Sequence, residues 1–518
     1  VRRPARTVLL FLALSLGLSA LSGCDRGHAP DARPAAAQPD AAALQPLAPV
    51  PAPPARPPAI TPLIEDLQQR TFNYFWETAN EANGLVPDRY PGTEPFSSIA
   101  AVGFALTVYP IGVERGWISR GQARDRTLTT LRFFHDAPQG PEPTGTAGHK
   151  GFFYHFLHVQ TGHRYASWVE LSSVDTALLL GGILFAHSWF DGDDAGEAEI
   201  RRLADAIVAR VEWPWLQVRP PLISMGWFPE TGFIPHDWLG YNEAMIVYLL
   251  ALASPTHPVG PDAWNAWTAG YQRSWGVFHD YEHLGFGPQF GHQYSHLWVD
   301  YRGIKDDFMR RHDIDYFENS RRATYGQRAY AIANPGGWKG YGENVWGLTA
   351  SDGPQIGLQS YLGSEREFRH YSARGAGLSD AFDDGTLAPT AAAASLPFAP
   401  EIVIPAIETM HARYGAEIYG QYGFLDAFNP SFTYQAPLKS GKITDLAGWV
   451  ASDYIGIDQG PIVIMIENYR SEMVWSVMRG NAYLRRGLER AGFRGGWLDG
   501  QASDAPAGAA DAAGTPPD

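Results

Sequence analysis

Several carboxylic acids of this sequence stand among aromatic and apolar residues rather than among other charges: Glu170, Asp175, Glu243, Asp352, Asp426, Asp458 and Glu467. Acids in such settings can act as general acids, general bases or hydroxyl-binding groups, because desolvation moves their proton affinity towards neutrality. Glu243 follows Trp238-Leu-Gly-Tyr-Asn and opens a very apolar segment. Burial there raises its pKa towards general-acid duty; the competing reading is a first-turn acid favoured by a helix dipole. Asp426, within Tyr422-Gly-Phe-Leu-Asp-Ala-Phe-Asn, can stay ionised and hold a water, or can cap an Asx turn. Glu170 and Asp175 could hold sugar hydroxyls. Asp352 and Asp458, in Asp352-Gly-Pro and Asp458-Gln-Gly-Pro, also read as helix N-caps. Glu467 lies inside a buried segment and needs a partner such as Arg470. Two carboxyl groups flanking one bond are what glycoside hydrolysis requires. The 17 Trp and 24 Tyr, many in Gly-rich loops, offer flat faces on which sugar rings can stack.

Other chemistries have less support. His279, His283, His292 and His296 lie close together, and the last two have the i, i+4 spacing of a metal pair. The intervening segment is loop-like and carries no HExxH, so substrate hydrogen bonding or a structural role is expected and no metal or other cofactor. No Walker loop, dinucleotide fingerprint or Gly-x-Ser-x-Gly elbow occurs. Over 518 residues, 40 basic residues against 55 acidic ones give a net charge of −15, which disfavours nucleic acid as a partner. One Cys excludes a disulfide framework.

That Cys lies at the end of a leader. Arg2, Arg3 and Arg6 precede an apolar run, and Leu21-Ser-Gly-Cys24 has the form of a lipobox. Residues 1–23 are therefore expected to be a lipoprotein signal peptide, and Cys24 to be lipidated. Residues 24–59, rich in Ala and Pro, form an extended tether, residues 60–500 the folded domain, and 501–518 a disordered tail. The expected location is the bacterial cell envelope, with a lipid anchor in the inner or outer membrane.

The folded part must position the acids. Segments apolar on all faces (99–111, 174–188, 244–253, 356–362, 402–410 and 462–478) alternate with amphipathic ones (64–81, 121–136, 196–211, 261–277 and 483–491). Buried and amphipathic helices in alternation imply an inner and an outer ring, an all-α (α/α)6 toroid barrel, in preference to an irregular bundle. Each inner segment begins with polar residues: Ser97-Ser98, Ser173 with Asp175, Asn242-Glu243, Asp352, Pro400-Glu401 and Asp458. Parallel inner helices would bring all these starts to one mouth.

The motifs Glu170-Leu-Ser-Ser-Val-Asp-Thr-Ala, Gly240-Tyr-Asn-Glu-Ala-Met, His292-Gln-Tyr-Ser-His-Leu-Trp-Val-Asp, Gly347-Leu-Thr-Ala-Ser-Asp-Gly-Pro, Tyr422-Gly-Phe-Leu-Asp-Ala-Phe-Asn and Ile457-Asp-Gln-Gly-Pro resemble the glucoamylase-like family of secreted bacterial proteins, which includes endo-β-1,2-glucanases. The resemblance implies a single six-hairpin barrel and inverting hydrolysis of β-1,2-glucan to short oligosaccharides, with the family's two acids falling on Glu243 and Asp426; Glu243 is expected as acid and Asp426 as base, with Asp458 the stand-in base if Asp426 is a turn residue. Exo release of sophorose, action on another glucan, and glycan binding without catalysis are the alternatives. The expected sugar-binding set is Glu170, Asp175, Asn242, His292, Tyr294, His296, Asp352, Asp458, Glu467 and Tyr469.

Overall fold

A computed structural model describes residues 51, 58–92, 94–378 and 382–500. The signal peptide, Cys24 and the 501–518 tail lie outside the described residues, as does the tether except at 51, 58 and 59. In chain order the helices are α1 (Pro62–Thr78), α2 (Ile99–Glu114), α3 (Arg120–Asp136), α4 (Ser173–Trp189) and α5 (Ala195–Ala209). There follow α6 (Met245–Ala253), α7 (Asp262–Thr268), α8 (Tyr271–Ser274), α9 (Asp307–His312) and α10 (Tyr316–Ala333). The last are α11 (Pro389–Ala393), α12 (Pro400–Ile418), α13 (Gly456–Ser471), α14 (Met473–Arg479) and α15 (Ala482–Arg490).

The inner ring is built from the segments with no polar face. α2 packs on α4 and α13, α4 on α6, and α11 on α13. Between α6 and α11 the stave is a pair of 3-10 turns, Gln289–His292 and Tyr294–Leu297, tied to α11 by Gln293 Nε2 donating to Ala391 O. The outer ring covers it: α1 over α2 and α13, α3 over α2, α5 over α4, α10 over the first 3-10 turn and α12 over α11. This is the (α/α)6 toroid. α2 and α4 touch backbone to backbone, for a Cβ on Gly182 would stand 1.8 Å from Gly103 O. Inside the ring, Trp298 stacks on Phe104 and donates Nε1 to Thr107 Oγ1 at 2.9 Å, so this part of the barrel is packed core rather than a channel.

Short strands lead into three inner helices: Phe96–Ser98 into α2, Leu171–Ser172 into α4 and Tyr454–Ile455 into α13. Ser98 and Ser172 cap α2 and α4 through their hydroxyls. The acids at these starts consequently share one mouth.

Four expectations about the staves are corrected. Segment 356–362 is no helix; Gly357–Tyr361 pairs antiparallel with Ser364–Phe368, and Ile356, Leu358 and Leu362 are exposed. The run is too short for a stave, is interrupted by Gly357 and is followed by Gly363. Segment 402–410 belongs to outer helix α12, and its inner partner is the Ala-rich α11, whose small side chains give a weak periodic signal. The start at Pro400-Glu401 therefore leaves the mouth, and Glu401 accepts from Arg321 and Tyr325 instead. Segment 462–478 breaks at Glu472, in the left-handed region at φ 57, into α13 and α14. Finally, 261–277 is two short helices running into the strand Trp275–Phe278, and α15 packs against α6 and α14.

Candidate active site

Glu243 precedes α6 in a turn where Asn242 Oδ1 accepts the Ala244 N–H at 3.0 Å. Its carboxyl is buried, and Oε2 has no hydrogen-bond partner among the described residues. Burial first, and then the charge of Asp175, push it up to about 7. An orphaned buried oxygen is costly unless it is protonated or meets a ligand.

Asp426 is built differently. It lies on the loop between the strands Gly423–Phe424 and Phe428–Asn429, where Oδ2 accepts the Asp352 N–H at 2.8 Å and Oδ1 is buried without a hydrogen-bond partner among the described residues. Burial, then Asp352, push it up to about 7. Asp458, in the first turn of α13, shares its environment and is driven well above the usual carboxylate range by burial and by Asp426. Two carboxyls so placed share one proton between them. Arg89 neutralises the rest: its Nη1 lies 2.9 Å from Asp352 and 3.3 Å from Asp453, and its Nε 3.4 Å from Asp88. Burial works against this guanidinium, and Asp352, Asp88 and Asp453 outweigh it.

Tyr294 stands among these groups. Burial, then the charges of Asp458, Tyr371, Glu243 and Asp175, keep its phenol protonated. Tyr371 is at the rim: Ser351 pairs with Ser372, so Asp352 and Tyr371 emerge side by side from one ladder. Buried Arg374, bound to Asp384 at 2.8 Å and donating to the carbonyls of Ser351, Arg369 and His370, staples the base of this excursion.

Donor atoms of His155, Glu170 and Asp175 all lie within 4.8 Å of one another, a spacing that could hold a metal. Both ring nitrogens, however, face carboxylates, at 2.9 Å and 3.5 Å, and a nitrogen that donates to a carboxylate has no lone pair for a metal. The donors present fit an ion-pair triad better than a metal centre.

This constellation of paired and lone buried acids at an (α/α)6 mouth can be compared with known proteins. The Glycoamylase family model, described as glucoamylase, matches residues 235–482. A glucoamylase-like protein of Bacteroides uniformis, known from its crystal structure, is 30% identical, with a TM-score of 0.71 over 85% of this chain and 100% of its own. The chain belongs to the glucoamylase-like family. Within that family it is 27% identical to the endo-β-1,2-glucanase of Chitinophaga pinensis, whose structure holds sophorotriose and glucose, with a TM-score of 0.71 over 85% of this chain and 100% of the other. It is 29% identical over 458 residues to the exo β-1,2-glucooligosaccharide sophorohydrolase (non-reducing end) of Parabacteroides distasonis. That match takes in 83% of this chain, which spans only 57% of the curated relative.

Of the sugar-binding set expected from the sequence, the structure gathers Glu170, Asp175, Asn242, Tyr294, Asp352 and Asp458 with Glu243 and Asp426 at the mouth. Four residues it places elsewhere. His292 is buried with Nδ1 on the Tyr241 hydroxyl at 3.1 Å and Nε2 on Phe286 O at 3.2 Å, so neither nitrogen is left for a sugar. His296 is packed against Tyr301 and Phe398 and held by Ser320 Oγ; burial pulls it down to about 3. Glu467 is nine residues along α13 from Asp458, roughly 13 Å at the α-helical rise. There it accepts from Gln68 and Ser471 and pairs with Arg115 at 3.3 Å, not with Arg470. Tyr469 donates its hydroxyl to Pro58 O. Asp88, Arg89, His155, Tyr371 and Asp453 join the mouth without having been expected there from the sequence. The available signal was the same one that marked the acids: Asp88-Arg89 between Pro87 and Tyr90, and His155 between Tyr154 and Phe156, are charges set in aromatic or apolar company.

Proposed function

We propose that the chain is a glycoside hydrolase of β-1,2-glucan that works with inversion, with Glu243 as general acid and Asp426 as general base. The observation that carries this reading is the pair of buried carboxyls, each with one oxygen lacking a hydrogen-bond partner among the described residues and each pushed up to about 7 by a different neighbourhood. Glu243, protonated near neutrality, gives its proton to the glycosidic oxygen as the C–O bond breaks. Asp426 takes a proton from the water that attacks the anomeric carbon from the opposite face. A protonated Asp458 beside it favours the ionised form of Asp426 that a base needs. The Asp352 N–H fixes its orientation, and Arg89, bound to Asp352, adds a favourable charge. Binding falls to Glu170, Asp175, Asn242, Tyr294 and Asp352, with Tyr371 at the rim.

The substrate class is supported by the Chitinophaga and Parabacteroides relatives, both named for β-1,2-linked glucans. Endo action is favoured because the match spans the whole of the Chitinophaga endo enzyme but little more than half of the exo-acting one. The test is product analysis on linear β-1,2-glucan. Endo cleavage gives a ladder of short oligosaccharides; sophorose as sole early product means exo action. Proton NMR of the first product should show the α anomer, whereas initial β anomer means retention and a different pair of acids.

Anchoring through a lipidated Cys24 completes the proposal. Cys24→Ala should move the protein out of the membrane fraction or block its processing.

A further inference from the structure

His155 takes no part in the hydrolysis as drawn, yet both of its ring nitrogens are committed to site acids. Nδ1 lies 2.9 Å from Glu170 Oε1 and Nε2 3.5 Å from Asp175 Oδ1. An ionised carboxylate only accepts, so Nδ1 donates to Glu170, and a second carboxylate facing Nε2 favours the doubly protonated ring, an imidazolium. Its position is set independently of these contacts. The ring lies flat on Phe156, with centroids 3.8 Å apart and planes at 19°. The His155 N–H donates to Glu170 O at 3.0 Å, and its carbonyl accepts from the first residue of α2, Ile99 N, at 3.2 Å. Asp175 is gripped from its other side by the Ser172 hydroxyl at 2.5 Å, and Ser172 is the cap of α4.

The charged groups facing His155 are Asp175 from α4, Glu170 from the approach to α4, and Asp88, itself beside Arg89, from the segment before the strand Arg89–Tyr90. Burial opposes the charged ring; Asp175, Glu170 and Asp88 outweigh it and lift it to about 9. Asp175 is in turn the charge that acts on Glu243, which also faces the Tyr294 phenol.

We propose that His155 is a positioning residue of the mouth: its imidazolium clamps Glu170 and Asp175 in one arrangement and cancels one of their two charges beside Glu243. The inference rests on the assignment of Glu243 as general acid. Without the cation the two carboxylates repel each other, the sugar-binding arrangement loosens, and Glu243 faces a more negative surround that holds its proton to higher pH.

Two measurements test this. In the full chain labelled with 15N-histidine, NMR at pH 8 should show a ring with both nitrogens protonated, titrating near pH 9. Finding no charged imidazolium at pH 8 would overturn the clamp. In His155→Gln, the alkaline limb of kcat/KM on linear β-1,2-glucan should move upward by about half a pH unit or more, with a raised KM. His155→Lys, which keeps a cation, should bring the limb back towards its wild-type position. A limb unmoved in a folded Gln variant means a merely structural histidine. If neither variant folds, the nitrogen spectrum of the wild-type protein decides alone. If the wild type cleaves no β-1,2-glucan, the proposed function fails, while the spectrum still decides the clamp.

Discussion

Glu243 shows how one buried carboxyl links catalysis to stability. Its folded pKa of about 7 lies above the ordinary 4.5. The fold therefore favours the protonated form. That contribution is complete below about pH 4.5 and is lost as pH rises through 7, leaving a penalty of about 3 kcal/mol for the charged group at pH 8. Glu243→Gln removes both the proton and the penalty. Turnover should fall about 10²–10⁴-fold, while the melting temperature at pH 8 rises above wild type and the gap closes by pH 5. Parallel activity assays and calorimetry check the two halves; a variant that loses activity and stability together would argue for a structural acid. Asp426→Asn should be as damaging to turnover. With the acid and the base both near 7, kcat/KM should trace a narrow bell about neutral pH. A broad plateau from pH 5 to 9 would count against this pair.

The staves carry the acids only because they approach closely and start together. α2 and α4 meet where Gly182 faces the Gly103 backbone, and there a single methyl has no room. Gly182→Ala should cost about 1–3 kcal/mol or more by forcing the helices apart, seen as an earlier urea midpoint. The excursion that presents Asp352 and Tyr371 hangs on a different device, the fully buried Arg374–Asp384 pair. Arg374→Met leaves Asp384 buried without its partner, at about 3–5 kcal/mol. Because Asp352 then loses its anchored ladder, kcat on β-1,2-glucan should fall as well. Full activity in a folded Arg374→Met protein would mean that the excursion does not position Asp352.

The molecule gathers several buried acids at one mouth, and its pH response should show this. Glu243, Asp426, Asp458, Asp175 and Asp88 are all raised by burial, and His155 is raised to about 9 by its carboxylates. All have the same sign. The folded state binds protons more tightly than the unfolded one, so stability drains away as pH rises through their folded values. His155 contributes in full below about 6.5 and loses its share as pH passes 9. Paired acids such as Asp384, Asp300 and Glu197 are lowered instead, by partners that outweigh burial at the two Asp and chiefly by Arg120 at Glu197. Their contribution is lost only in acid. Melting temperatures should therefore be highest on the acid side of neutral and decline from about pH 6 to pH 9. A rise over that interval would contradict the assignment of the mouth acids as buried and proton-binding.

Much of this was legible in the chain itself. Helices apolar on every face can only be interior, so the staves at Ile99, Ser173, Met245 and Gly456 announced an inner ring, and the acids at their starts announced a mouth. Glu243 and Asp426 stood out because a carboxyl among aromatics is costly unless it is used. What composition and periodicity could not carry was the choice of partner. Glu467 and Asp458 share one helix and similar surroundings, but a rise of 1.5 Å per residue separates them along the barrel axis, and one became structural while the other joined Asp426. His292 had ligand-like spacing, yet Tyr241 and the Phe286 carbonyl claim both its nitrogens. Arg89, His155 and Asp453 entered the site from short connecting segments with no period to read. Pairing between such groups depends on distances of a few ångströms across the closed ring, and those distances come into being only when every stave has packed.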